Sequence, residues 1–303
     1  MLPMPLRLTA PALASLLAAA CCQAQKAADQ PKPVGDGDWV RLEEDASGKP
    51  VGLQTAIATY EGTPAGSRAP VRVDLVGAVH VGDLSYYRSL NKRFPQYDAV
   101  LYELVAPEGT VVERGSSVRS NNPLGAMQNG MKSMLDLEHQ LEHVDYTQPN
   151  FVHADMSPTQ LFDSMEQRDE GFLKMYFRML GQGIAEQTKS AAKGQSADAE
   201  LFKALFSTED RPRKLKMAMA GQLTELEGLL TGFGGEQGST LIQERNRVAL
   251  EVLRKEIDAG KRSFAVFYGA GHLADMDERL RRDFGLRQSS KEWLTAWDLR
   301  AAE

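Results

Sequence analysis

Residues 71–94 read VRVDLVGAVHVGDLSYYRSLNKRF. The first ten are apolar except for Arg72, Asp74 and His80, and they are rich in valine, which suits a strand buried on both faces. LSYYRSLNKRF, 84–94, suits a helix, and Asp83 stands where a capping residue belongs. A buried strand running directly into a helix is a βα unit, so the expectation is a parallel sheet covered by helices.

The same pattern recurs along the chain. DAVLYELV (98–105) is a second apolar strand, NFVHAD (150–155) a short third and SFAVFYGAGH (263–272) a fourth. SPTQL follows the third, with Ser157 at the N-cap and Pro158 at N1. The helix ADMDERLRRDFG (274–285) follows the fourth, with a last strand near EWLTAWDL (292–299). Upstream, WVRLEE (39–44) and VGLQTAIATYEG (51–62), joined by DASGKP, read as a β-hairpin. A helix is expected over about Leu124–His143, and 158–256 are nearly all helical in pattern. Two weak spots break that run, GQSADAE (194–200) and LTGFGGEQGST (230–240). The second is neither a dinucleotide fingerprint nor a P-loop and reads as a flexible connector, with an active-site lid as the alternative. The predicted class is α/β: a mostly parallel sheet flanked by helices, with an N-terminal β-hairpin and a large helical insertion at about 158–256.

The first 21 residues stand apart. Arg7 precedes a short apolar run, Leu8–Ala20, and Leu17-Ala18-Ala19-Ala20-Cys21 resembles a lipobox. We expect a signal peptide over 1–21, a lipid anchor at Cys21 that ties the chain to the membrane, a Pro/Gly-punctuated tether over 22–37 and one domain over 38–303. The location expected is the bacterial cell envelope, on the periplasmic side; cleavage near Ala24 to a soluble periplasmic protein is the alternative. The chain's two cysteines, Cys21 and Cys22, both precede the domain, so it offers no disulfide, no thiol nucleophile and no Cys-ligated zinc. A formal net charge of −6 without a basic block argues against nucleic acid.

In an open parallel sheet, ligands bind at the carboxyl ends of the strands. His80, Glu103, Asp155 and His272 each follow one of the four strands, and Gly77, Gly269 and Gly271 permit tight turns and close approach of a substrate. In TLIQERNRVALEVLRKEI (240–257), Leu241, Ile242, Val248, Ala249, Val252 and Leu253 share one arc, with Arg245 near its middle and Asn246 at its edge. A buried arginine must meet an anion, either a carboxylate of the fold or a substrate oxyanion. HQLEH, 139–143, matches H-x-x-E-H, which on a helix sets two histidines on one face with Glu142 as base. Around it, however, Leu137, Leu141 and Val144 mark the buried side and leave His139 and His143 with Asp136 and Gln140. No third ligand is matched, and a solvated face is expected there rather than a metal centre.

GAVHVGDLSYYRSLNKRFPQYDAVLYELV (77–105), QERNRVALEVL (243–253) and VFYGAGHL (266–273) resemble the TraB/PrgY/GumN group. That group is related to the Tiki metalloproteases and more distantly to erythromycin esterase and the ChaN haem-binding lipoproteins. The resemblance spans roughly 71–285 and implies a site of two Gly-x-x-His histidines, His80 and His272, with Glu103 at a strand end and the pair Arg245–Asn246. Tiki-type members imply metal-dependent peptide hydrolysis, with His80, Glu103 and His272 as candidate ligands for Mn, Co or Zn and a metal-bound water as nucleophile; Asp155 joins the candidate ligands from its strand-end position alone. Esterase-type members imply hydrolysis with a histidine base and no obvious metal. ChaN-type members imply binding of haem. The expectation is a metallopeptidase-like hydrolase of a peptide or small molecule; the alternative is an envelope lipoprotein that binds a small molecule, haem or signalling peptide in the same crevice.

Overall fold

A computed structural model of the protein describes residues 39–107, 109–110, 112, 135, 137–168, 207, 210–231 and 239–301, with the side chains of 222–231 excepted. The leader, the tether, most of the helix expected over 124–143 and much of the insertion therefore lie outside the described residues. A single compact unit begins at Trp39.

Strand β1 (Val40–Glu44) turns back through Asp45, whose Oδ1 accepts the Ser47 and Lys49 N–H groups, into the long β2 (Pro50–Gly62). This antiparallel pair is the expected hairpin. β3 (Val71–Ala78) lies antiparallel to β2, and β9 (Arg287–Asp298) runs antiparallel along the other side of β2. Beyond β3 the sheet is parallel, through β8 (Ser263–Gly269) and β5 (Ala99–Tyr102) to β7 (Phe151–His153). The result is a seven-stranded mixed sheet in the order β1-β2-β3-β8-β5-β7, with β9 also on β2. The α/β class holds, with four parallel strands and an antiparallel N-terminal portion.

Period-two alternation distributes the core. Val73, Leu75, Phe264, Val266 and Tyr268 face one side with Ala249, Leu253, Ile257, Leu280 and Phe284. Val76, Val100, Ala265 and Phe267 face the other with Tyr86, Leu90 and Phe94. α1 (Leu84–Arg93) therefore covers one face, and α5 (Arg245–Asp258) with α6 (Leu273–Phe284) the other. α6 stops at Gly285, whose φ of 68° is the left-handed cap that favours glycine. Asp83 occupies the N-cap position of α1, but its side chain caps nothing: it takes Lys216 Nζ of α4 (Arg211–Thr231) at 2.7 Å and the Asp298 N–H. The expected capping bond is replaced by a clamp between α4 and the sheet.

The stretch HQLEH departs from expectation. Glu138 and His139 form β6, a two-residue strand antiparallel to β4 (Val81–Gly82), and only Gln140–His143 are helical, as α2. His139 and His143 do not share a helical face, because the backbone at 138–139 is committed to pairing with the segment after β3. α3 (Pro158–Gln167) starts as expected, with Ser157 and Gln160 closing a capping box.

Candidate functional site

Along the carboxyl edge of the parallel strands the order is His80 after β3, His272 after β8, Glu103 after β5 and Asp155 after β7. Four sequence-distant segments thus reach one edge. Arg245 comes to them from the first turn of α5, directly after a π-helical turn over Thr240–Glu244 that Ser239 caps. Such a wide turn shifts the helical phase at its end and is frequent at functional sites. The shift also revises the expected arc: the buried residues of α5 are Asn246, Ala249, Leu250, Leu253 and Ile257, so Asn246 is central rather than marginal.

The guanidinium is clamped. Arg245 Nε and Nη2 donate to Asp155 at 2.9 and 2.6 Å, and Nη2 also donates to Glu103 Oε1 at 2.6 Å. Nη1 lies 3.4 Å from His272 Nε2. The Asp155 side chain is fully buried, and those of Glu103, Arg245 and His272 nearly so. Of the two fates foreseen for a buried arginine, the structure shows the ion pair with fold carboxylates, and those carboxylates are the strand-end residues themselves. Asp155 Oδ1 also accepts the adjacent Met156 N–H.

His272 is set by Asn246. The Asn246 amide nitrogen donates to the His272 carbonyl at 2.9 Å and to Asp275 at 2.8 Å, so its Oδ1 is the atom facing His272 Nδ1 at 2.6 Å. An amide oxygen only accepts, which places the ring proton on Nδ1 and leaves the neutral ring's lone pair on Nε2, toward Arg245 and Glu103. Tyr268 packs edge-on against the ring, and its hydroxyl bonds to the Ala154 carbonyl. Tyr268 and Asp275 escaped the sequence reading. The spacing GHLAD, three residues from His272 on a helix, was the available signal for Asp275.

Gly269 donates its N–H to Glu103 Oε2 at 2.7 Å, and a Cβ there would come within 3.2 Å of that oxygen. Its close approach serves Glu103, not a substrate as expected. At Gly77 a Cβ would meet Thr55 and the Ala56 carbonyl, so that glycine serves packing. His80 is exposed, two residues beyond β3, and its carbonyl accepts the Gln140 N–H. His153 Nε2 bonds the Leu104 carbonyl at 2.6 Å, a structural role.

Electrostatics follows from burial and charge. Burial pushes the Glu103 carboxyl up, but His272, Arg245, His80 and the Gly269 N–H outweigh it and hold it well below the usual carboxylate range. Burial dominates at His272 and lowers it below its ordinary 6.5, despite Glu103. Both shifts have one sign for stability. An unfolded chain protonates His272 first as pH falls past about 6.5, and Glu103 loses its contribution as pH falls from about 4.5. The urea midpoint is therefore expected to be flat near neutrality, to decline below about 6.5 and to fall further below about 4.5. In His272→Asn the first decline should be reduced; a midpoint that rises on mild acidification would contradict this.

A divalent ion needs donor lone pairs turned toward one point. Here Glu103 Oε1 and both Asp155 oxygens face Arg245, while Glu103 Oε2 takes the Gly269 N–H. The guanidinium itself lies beside His272 Nε2. An organic cation thus stands where the metal was expected, and the four candidate ligands do not fit an ion in this arrangement. Among the described residues, donor atoms of Glu138, Glu142 and His143 do lie within 4.8 Å of one another. His139 is not one of them. His143 Nε2 is bonded to Glu138 at 3.0 Å and its ring stacks on Tyr87, a paired and half-buried cluster.

No protein-family model, curated protein or solved structure matches the chain. Among the described residues no helix is long and apolar enough to cross a membrane.

Proposed function

We propose that the chain is a hydrolase of the TraB/Tiki type that works at the strand-end crevice with His272 as base. The observation that carries this is the Asn246–His272 pair, which presents an unprotonated Nε2 beside a fixed guanidinium. A water that replaces the 3.4 Å Arg245 Nη1 contact at Nε2 adds to a substrate carbonyl while its proton passes to the ring. The N–H of Arg245 Nη1 not turned to His272 meets the developing oxyanion. The ring then returns the proton to the leaving group as the scissile bond breaks. Glu103, held ionised, stabilises the imidazolium that forms between these steps. His80, exposed at the rim, meets substrate. The Cys21 lipobox supports a place in the cell envelope, anchored on the periplasmic side.

Binding without turnover, of a small molecule, haem or signalling peptide, is the second reading. It is favoured by the saturation of Glu103 and Asp155, whose oxygens all have partners. A mass-spectrometric cleavage profile on a peptide pool separates the two, run with chelator and with added Mn, Co or Zn. Cleavage that persists in chelator and is lost in His80→Ala and Glu103→Ala is expected. No cleavage under any condition would defeat the hydrolase, and a Soret band on haem titration, absent in His80→Ala, would then favour haem binding. Cleavage only with added metal would restore the metal-dependent route.

A further inference from the structure

The side chains that meet at the strand ends are closed off from solvent: 13% of Glu103 is exposed, 12% of Arg245, 7% of His272 and none of Asp155. Such a group takes a substrate only after a covering element moves, and lids are drawn from the least stable elements of a fold. The sheet shows which element covers this edge. β9 occupies one edge of β2, so β1, on residues 50–55, and β3, on 57–62, share the other. β2 and β3 are antiparallel, with Ile57 opposite Val76, so β1 stands beyond the carboxyl end of β3. α4 comes within 8 Å, Cα to Cα, of both β1 and the Ala270–His272 turn that follows β8. It therefore lies across the carboxyl ends of β3 and β8.

α4 is held there by few buried groups. Over 211–221 its buried side chains are Leu215, Lys216 and Ala220. α6, by contrast, buries Leu273, Met276, Leu280 and Phe284 within twelve residues. The firmest contact of α4 is polar. Lys216 Nζ donates to Asp83 Oδ1 at 2.7 Å, with 10% and 18% of the two side chains exposed, and Asp83 also accepts the Asp298 N–H. Asp83 follows β4 directly, three residues from His80 at the rim. A charge-assisted bond of this kind is strong at contact and is lost within a few ångströms of separation, where water takes over both ions.

We propose that α4 is a lid over the strand-end site and that the Lys216–Asp83 ion pair is its latch. When the pair parts, Leu215 and Ala220 leave the α1-side core cluster and the His272 turn opens to solvent, while the sheet and α5 stay folded. The purpose of the lid rests on the strand ends being the working site, as the proposed function has it; its opening does not rest on turnover. A helix that is merely structural would open only when the whole domain unfolds.

Two readouts on the full chain test this. The first is native-state hydrogen exchange in low urea. Amides 215–221 are expected to exchange through an opening with a smaller urea dependence than the amides of β3 and β8, which wait for global unfolding. The second is carbethoxylation by diethyl pyrocarbonate, read by peptide mass. His80 should react fast in every sample, and His272 slowly in the wild type, with the same small urea dependence as α4. In Lys216→Met and in Asp83→Asn, α4 exchange and His272 modification should both quicken about 10–100-fold, the span for losing a charge-assisted hydrogen bond. The double variant should be little faster than either single one, since both break the same contact. If neither variant folds, the wild-type urea dependences decide. α4 amides that exchange only together with β3 and β8, His272 modification that follows β8 rather than α4, or folded variants no faster than the wild type would overturn the proposal. Peptide cleavage is followed in the same samples. An opening lid without cleavage would count against the hydrolase and leave the lid standing.

Discussion

Replacing Arg245 by methionine is expected to lower stability by about 3–5 kcal/mol, the usual cost of breaking a buried ion pair from one side. The guanidinium is the shared partner of Glu103 and Asp155 and meets them through three bonds of 2.6–2.9 Å. Without it, two buried carboxylates keep the Gly269 and Met156 N–H groups as hydrogen-bond donors, with His272 3.5 Å from Glu103. The sign with pH is distinctive. In the wild type, Glu103 favours the fold above about pH 4.5. In the variant Glu103 loses a charge that held it ionised, so its proton uptake moves upward and the deficit shrinks on acidification. Urea melts at neutral and mildly acid pH measure both effects. A loss under about 1 kcal/mol would mean that the cluster is not the structural knot described here. Removing the whole set, Arg245→Met with Asp155→Leu and Glu103→Leu, should recover part of the loss, since a buried network replaced by apolar groups can be nearly neutral.

Replacing His272 by alanine is expected to reduce turnover by about 10²–10⁴-fold, the range for loss of a general base. The pH profile adds a check that a merely structural histidine would fail. As the proposed base, His272 would act in its neutral form, and burial lowers it below 6.5, so the acid limb of kcat/KM should lie below that value. In Asn246→Asp a carboxylate faces Nδ1, the imidazolium gains stability, and the limb should move to higher pH. A profile with no acid limb, or one unmoved in Asn246→Asp, would remove His272 from the role of base. Chelator and metal supplements belong in the same assay, because the Arg245-bridged geometry is what argues against ligation by Glu103, Asp155 and His272.

Much of the architecture was legible because it depends on short-range chemistry. Apolar, β-branched runs at 71–80, 98–105, 150–155 and 263–272 read as strands, and the rule that ligands meet strand ends then collects His80, Glu103, Asp155 and His272. Ser157 and Pro158 announce α3 in the same local way. HQLEH shows the limit. Its spacing satisfies a helical motif, yet Glu138 and His139 pair with Gly82 and Val81, far upstream. A pattern within five residues carries no information about a partner more than fifty residues away. The phase of α5 was misjudged for a related reason, since a π turn adds a residue that no periodicity count at 100° anticipates.

The sequence by itself determined the α/β class, the hairpin, and which residues would stand at the carboxyl edge, since periodicity, capping and turn chemistry are properties of neighbouring residues. Only the tertiary structure decided what those residues do to one another. Arg245 meets Glu103 across 142 residues and Asp155 across 90, His272 takes its tautomer from Asn246 26 residues away, and Gln140 is buried beside His80 with one oxygen unfilled. Pairing energies of a few kcal/mol depend on distances of a few ångströms between side chains. Those distances exist only once the chain has folded.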